Sequence, residues 1–290
     1  MRLIPAAALL GSLGCTDAPA ASNRAPRPAP DPAAPVLVGA GDIAYCGRDV
    51  DEETAKLLDS IPGTVFTVGD HVYPDASEER FAECYGASWG RHRSRTRPAA
   101  GNHEYHIAGA GPYFAYFGER AGEAGKGWYS YDLGAWHIVV LNSNLDLRDG
   151  SEQLRWLEGD LRASGARCTL AYWHHPRFGS TGPRDALLDA WRVLYRAGVD
   201  VVLNGHDHQY QRFAPQTPEG EADPVRGIRQ FTVGTGGGGL QSFKGKSLNS
   251  EARGRHYGVL ALTLGDSRYD WRFVPIAGSS FSDAGTGSCH

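Results

Sequence analysis

Several features are scarce or missing in this sequence, and each absence removes a class of function. There is no surplus of positive charge: 29 Lys and Arg stand against 33 Asp and Glu, a formal net charge of −4. The electrostatic footprint that binding to duplex nucleic acid requires is therefore missing. No C-x-x-C spacing occurs among the five cysteines, which leaves a cysteine-ligated zinc without support. No G-x-S-x-G element is present to propose a serine nucleophile. The apolar N-terminal stretch from Leu3 to Leu13 is too short to anchor the chain across a bilayer. No internal repeat is visible either.

That N-terminal stretch follows Met1-Arg2 and runs into Gly14-Cys15, the layout of an export signal over residues 1–15. Cys15 stands where a lipoprotein signal places its acylated cysteine, so lipidation there would tether the protein to a membrane. Cleavage nearby would instead release a soluble secreted protein. Residues 16–35 are rich in Pro and Ala with no apolar periodicity and read as a disordered tether. The expected location is thus periplasmic, cell-surface or extracellular. Export makes the four remaining cysteines legible as disulfides. Of three connectivities, Cys46–Cys84 and Cys168–Cys289 are favoured: the first lies within one half of the chain, the second pins the C-terminus. In the chain-entropy model each closed loop stabilises by roughly 4–5 kcal/mol.

From residue 36 short apolar runs alternate with amphipathic segments. Strands are expected at Val36–Val38, Val65–Val68, Trp136–Leu141, Thr169–Trp173, Val201–Leu203, Phe231–Val233, Val259–Leu264 and Tyr269–Val274. Helices are expected at Glu52–Leu58, Gln153–Leu161 and Ala186–Ala197. With no second linker, residues 36–290 read as one α/β domain. Polar residues appear where these strands end. Asp42, Asp70, His174 and Asn204-Gly205-His206 each follow a strand, and such loops converge on one crevice beyond the carboxyl ends of a sheet.

Four clusters carry the chemistry: Gly41-Asp42, Gly69-Asp70-His71-Val72-Tyr73, Gly101-Asn102-His103-Glu104 and Gly205-His206-Asp207-His208, with His174-His175-Pro176 preceding the last. Singly, each suits a turn. Together and in this order they form a complete metal-ligand set, and on these residues the chain resembles the calcineurin-like metallophosphoesterases of the purple acid phosphatase branch. The resemblance runs from about Val36 to the C-terminus and implies a four-layer α-β-β-α sandwich. It implies two metal ions. Asp42, Asp70, Tyr73 and His208 would hold the first, and Asp70, Asn102, His174 and His206 the second, with Asp70 bridging. His174 is preferred to His175 because the family ligand stands two residues before a Pro. Many relatives place a His two residues after the first Asp; here that position is Ala44, and Tyr73 takes its role. A phenolate beside carboxylates favours Fe(III), and the His-rich site favours Zn(II), Fe(II) or Mn(II).

The implied reaction is hydrolysis of small phosphomonoesters by a metal-bound hydroxide. His103 would protonate the leaving oxygen, and Glu104 would orient His103 or a neighbour. His175, Arg177 and Arg184 are candidate substrate contacts, the arginines because a further His of related phosphatases is absent here. His71 reads as a pocket-lining or an exposed loop residue. A phosphodiesterase acting on nucleotides or phospholipids is the rival enzyme, and a silent metal- or phosphate-binding surface protein the rival from another class. Two decoys remain. Gly234–Gly239 before Gly245-Lys246-Ser247 imitates a nucleotide loop, but Leu240 stands where that pattern needs Gly. Tyr113, Phe114, Tyr116 and Phe117 read as a satellite core rather than a substrate cleft. Nothing in the sequence speaks to oligomeric state.

Overall fold

A computed structural model describes residue 1 and residues 33–290. Most of the tether, Cys15 and the expected signal segment after Met1 lie outside the described residues. Two sheets face each other. The six-stranded sheet has Val36–Ala40 at its centre, antiparallel to Gly258–Leu264 and parallel to Thr64–Val68, which is in turn parallel to Thr96–Ala99. The seven-stranded sheet is parallel through Trp136–Val140, Cys168–Tyr172, Val201–Asn204 and Arg229–Val233, with antiparallel strands outside them.

Alternation along each strand builds the layers. Leu37, Phe66 and Val68 of one sheet meet Ile138, Val140, Leu170 and Leu203 of the other in a core between the sheets. The intervening Val38 and Val65 point outward, to Ala55 and Leu58 of the helix Val50–Ser60. On the opposite flank Val139, Ala171 and Val202 meet Leu154 and Leu157 of the helix Glu152–Ala163, and Trp191 and Leu194 of the helix Leu188–Arg196. The result is the expected α-β-β-α order. Ser151 caps Glu152–Ala163 by accepting from the Leu154 N–H. Tyr113, Phe114 and Phe117 are buried in the outer core of the first flank, as a satellite cluster should be.

Both favoured disulfides are present, with Cα–Cα separations of 5.1 Å for Cys46–Cys84 and 5.4 Å for Cys168–Cys289. The second joins the sheets. Cys168 begins a strand of one, and Cys289 follows the edge strand Asp283–Ser288 of the other. Among the described residues no helix is long and apolar enough to cross a membrane.

Candidate metal centre

The parallel strands of both sheets end on the same side, and the loops that leave them carry the clustered polar residues. Three of these residues, Asp42, Asp70 and His206, have left-handed backbone with φ of 58°, 51° and 66°. Non-glycine residues adopt that region at a cost that the surrounding structure must hold in place. The loops also approach closely. A Cβ on Gly205 would lie 2.6 Å from Asp42 Oδ2, and one on Gly101 would collide with Asp70. Glycine at these positions lets the ligand loops touch.

Two sets of donor atoms result. In the first, the Tyr73 hydroxyl lies 3.0 Å from Asp42 Oδ1, 3.2 Å from Asp70 Oδ2 and 3.1 Å from His208 Nε2. In the second, Asn102 Oδ1 lies 3.0 Å from His174 Nε2 and 2.9 Å from His206 Nδ1, and His174 Nε2 is 3.3 Å from Asp70 Oδ2. Asp70 Oδ2 therefore faces both sets. Its other oxygen accepts from the His103 N–H at 2.9 Å, which fixes the carboxylate plane.

Hydrogen bonds behind the cluster set the tautomers. His174 Nδ1 donates to the Val68 carbonyl (2.7 Å) and His208 Nδ1 to the Gly239 carbonyl (2.9 Å). A carbonyl only accepts, so each Nδ1 carries a proton and Nε2 is the atom turned toward the cluster, where a bound cation would replace its proton. The glycine run thus has a local purpose. Gly236 and Gly238 donate their N–H groups to the Gly41 and Asp42 carbonyls, and Gly239 orients His208.

The electrostatics of the cluster favour a bound cation. Burial alone would lower the His174 and His208 pKa values, yet Asp70 and Asp42 respectively raise each to about 9. Burial would raise that of Asp70, but the neighbouring His174 and then His103 hold it well below the usual carboxylate range. His206 is pushed down to about 4 by burial and by the charge of His174. Burial and then the Asp42 and Asp70 charges raise the Tyr73 phenol well above its ordinary value, so a phenolate here requires a cation that outweighs both carboxylates. Buried oxygen and imidazole donors converging with surplus negative charge suit metal ions.

Other expected residues fall differently. His103 lines the cleft beside the cluster, its Nδ1 donating to the Pro74 carbonyl at 2.6 Å and its Nε2 3.8 Å from Asp70 Oδ2. Glu104 does not orient the His103 side chain. It is fully buried and accepts three backbone N–H groups, from Asp70 (2.9 Å), His71 (2.9 Å) and Gly101 (2.5 Å). It clamps together the two loops that carry Asp70 and Asn102. His71 is neither cleft-lining nor exposed: it is fully buried among Phe81, Tyr85, Tyr113 and Phe117, with Nε2 2.7 Å from Thr67 Oγ1. Its Nδ1 faces Glu104 Oε1 at 3.3 Å without hydrogen-bond geometry.

Arg184 reaches the cleft, held by Asp207 at 2.8 Å and by the Pro176 carbonyl at 3.0 Å. Arg177 does not. Its guanidinium is buried against the Pro218 carbonyl and Asp185, because the chain turns it into the fold before the cleft begins. His175 stands behind His206, ring centroids 4.5 Å apart, with Nδ1 2.8 Å from Ser143 Oγ. Burial and then His174 push its pKa down to about 2. One nitrogen each from His174, His175 and His206 lie within 4.8 Å of one another, so His175 adds a nitrogen the sequence reading did not count as a ligand. Sequence reasoning also missed Asp207, Lys244 and Tyr45 in the cleft wall. Asp207 had a signal, lying between two candidate ligands; Lys244 had none.

Two sheets with helices outside them, and paired donor sets at their carboxyl ends, define a metallophosphoesterase. The model of the calcineurin-like phosphoesterase family matches residues 27–210, more than half of the chain, and the chain belongs to that family. It is 34% identical to Purple acid phosphatase 21 of Arabidopsis thaliana over 153 residues, covering 49% of this chain and 35% of that protein. It is 26% identical to Probable inactive purple acid phosphatase 1 of the same plant over 264 residues, covering 73% of this chain and 41% of that protein. A purple acid phosphatase isolated from yellow lupin (Lupinus luteus) seeds shares the fold, with a TM-score of 0.71 at 20% identity over 88% of this chain and 53% of that one. The chain thus spans less than half the length of these two curated relatives.

Proposed function

We propose that this chain, through a catalytic domain at residues 36–290, hydrolyses small phosphate monoesters as an exported, metal-dependent enzyme. The observation that carries the reading is Asp70 Oδ2, one oxygen turned toward both donor sets. Asp42, Asp70, Tyr73 and His208 would hold one ion, for which Fe(III) suits the oxygen-rich set. Asp70, Asn102, His174 and His206 would hold the other, for which Zn(II), Fe(II) or Mn(II) suit the imidazoles. Bound there, two metals supply Lewis acidity toward the phosphoryl group and make water acidic enough to ionise near neutral pH.

The chain's own groups do the rest. His103, with Nδ1 fixed on the Pro74 carbonyl, presents Nε2 in the cleft to pass a proton to the departing oxygen. Arg184, anchored by Asp207, offers its charge to the phosphate. Glu104 keeps the Asp70 and Asn102 loops in register. The two disulfides accord with an oxidising compartment, and residues 1–15 as a signal with Cys15 as a lipid site complete the proposal.

The test is metal content, visible spectrum and monoester turnover measured on one sample from an exporting host. A broad visible band with two metals per chain, one of them iron, and loss of the band in Tyr73→Phe would support the iron–phenolate assignment. A colourless active protein with two zinc or manganese ions removes iron and keeps the hydrolase. Bound metal without turnover of any monoester sinks the enzyme reading and leaves a metal-binding surface protein.

A further inference from the structure

The two segments that wall the metal cleft continue past it. On one side Ser180, Thr181 and Arg184 face the metal cleft, while Phe178 and Pro183 face an adjoining cleft of about 240 Å3. On the other side Lys244 faces the first cleft, and Lys246 and Leu248 the second. Ser180 belongs to both. The pair reads as one groove with two ends, and nothing in the proposed function uses the second.

The ends differ in chemistry. No aliphatic side chain lines the metal cleft, where Arg184 and Lys244 bring positive charge. The second is walled by Phe178, Pro183 and Leu248. Leu248 is 83% exposed, an apolar side chain left to water at the rim of an apolar hollow, as at ligand sites. In the same lining, Gln216 is 1% exposed and its Nε2 has no partner, although its Oε1 accepts from Asn249 at 3.0 Å. Buried donors are normally satisfied. Glu219, also at this end, is held by Arg192 at 3.0 Å, and the buried side-chain atom of this lining left without a partner is a donor, Gln216 Nε2, beside the Lys246 ammonium.

We infer that the second cleft is the subsite for the organic group of the ester, and that it takes a single aromatic ring carrying a hydrogen-bond acceptor. The inference rests on the phosphatase reading for what occupies the metal end. Size is consistent with the class: an apolar cavity of about 150 Å3 holds one benzene, so this one has room for a substituted ring. The substrates are then aryl or arylmethyl phosphates, with phosphate at the metal end and ring at the apolar one.

The experiment compares binding of benzylphosphonate and methylphosphonate, which cannot be hydrolysed at phosphorus–oxygen ester bonds, to the metal-loaded protein by calorimetry. Benzylphosphonate should bind about tenfold more tightly or better, the return from burying one ring. Leu248→Asp, at an exposed position that folding does not depend on, should weaken benzylphosphonate several-fold more than methylphosphonate. Equal affinities in the wild type, or a ratio untouched by Leu248→Asp, overturn the subsite. Benzyl and ethyl phosphate, whose leaving alkoxides are similar in basicity, are assayed alongside. Discrimination between the phosphonates with neither ester cleaved removes the phosphatase reading and keeps a ring-binding site. Both esters cleaved with equal kcat/KM and no phosphonate discrimination removes the subsite and keeps the phosphatase.

Discussion

The two ends of the sandwich are built on opposite principles. At the carboxyl ends of the parallel strands, Asp42, Asp70 and His206 hold left-handed backbone and buried carboxylates gather beside imidazoles. At the amino end, Cys168 is bonded to Cys289, and His137 sits between Asp132 at 2.9 Å and Asp160 at 2.8 Å. One end concentrates buried charge and strain; the other joins sheet to sheet and strand to helix. Stability is thus supplied at a distance from the cluster that draws on it, and a change at one end should leave the property of the other nearly intact.

The sharpest break in that separation comes from Asp70→Asn. Asparagine tolerates left-handed backbone, so the change removes charge alone. Turnover should fall to the uncatalysed background while the thermal midpoint moves little. Retained activity would sink the assignment. Next is Glu104→Ala, which strips three buried N–H groups of their acceptor. Metal affinity and kcat/KM should fall about 10–100-fold, with partial rescue by Glu104→Gln. Loss of stability with metal affinity unchanged would mean that Glu104 serves the fold and not the centre.

At the far end, Cys168→Ser combined with Cys289→Ser should cost about 2–5 kcal/mol in denaturant unfolding, while kcat/KM below the new midpoint stays within about twofold. The smallest effect belongs to His137. Its pKa is raised, first by Asp160 and further by Asp132, against burial, which lowers it. A raised pKa gives stability that is complete below the unfolded value near 6.5 and lost as pH climbs through the folded one. The wild-type midpoint should therefore fall as pH rises from about 6.5, and His137→Gln should flatten that part of the curve. An identical slope in the variant would mean that the His137 contacts with Asp132 and Asp160 do not contribute to stability.

The carboxyl end was the more legible in sequence because Asp42, Asp70, His174 and His206 each follow an apolar strand, so position and chemistry coincide within a few residues. The central strands were legible for the same reason: both faces are buried and the runs are continuously apolar. Edges were not. Asp283–Ser288 has no apolar alternation, since its partners Trp271 and Tyr269 lay their rings over Gly285 and Gly287; the hydrophobic surface comes from the neighbouring strand. Thr96–Ala99 contains Pro98, which a strand tolerates at a sheet edge. For Glu104 the sequence left His103 and a neighbour as alternatives, and it could not choose between them because the partners are backbone N–H groups, two of the three more than thirty residues away, and no side-chain pattern encodes a backbone bond. Arg177 was misread because spacing from His174 says nothing about which way a loop turns.

The left-handed residues carry a consequence for anyone who re-engineers this chain. Glycine occupies that region without steric cost, so a search for thermostability guided by backbone geometry alone would rank Asp42→Gly, Asp70→Gly and His206→Gly among its most attractive changes. Each would relax the loop that bears it and erase a donor from the centre. The positions that look most improvable by one measure are those a designer must lock first.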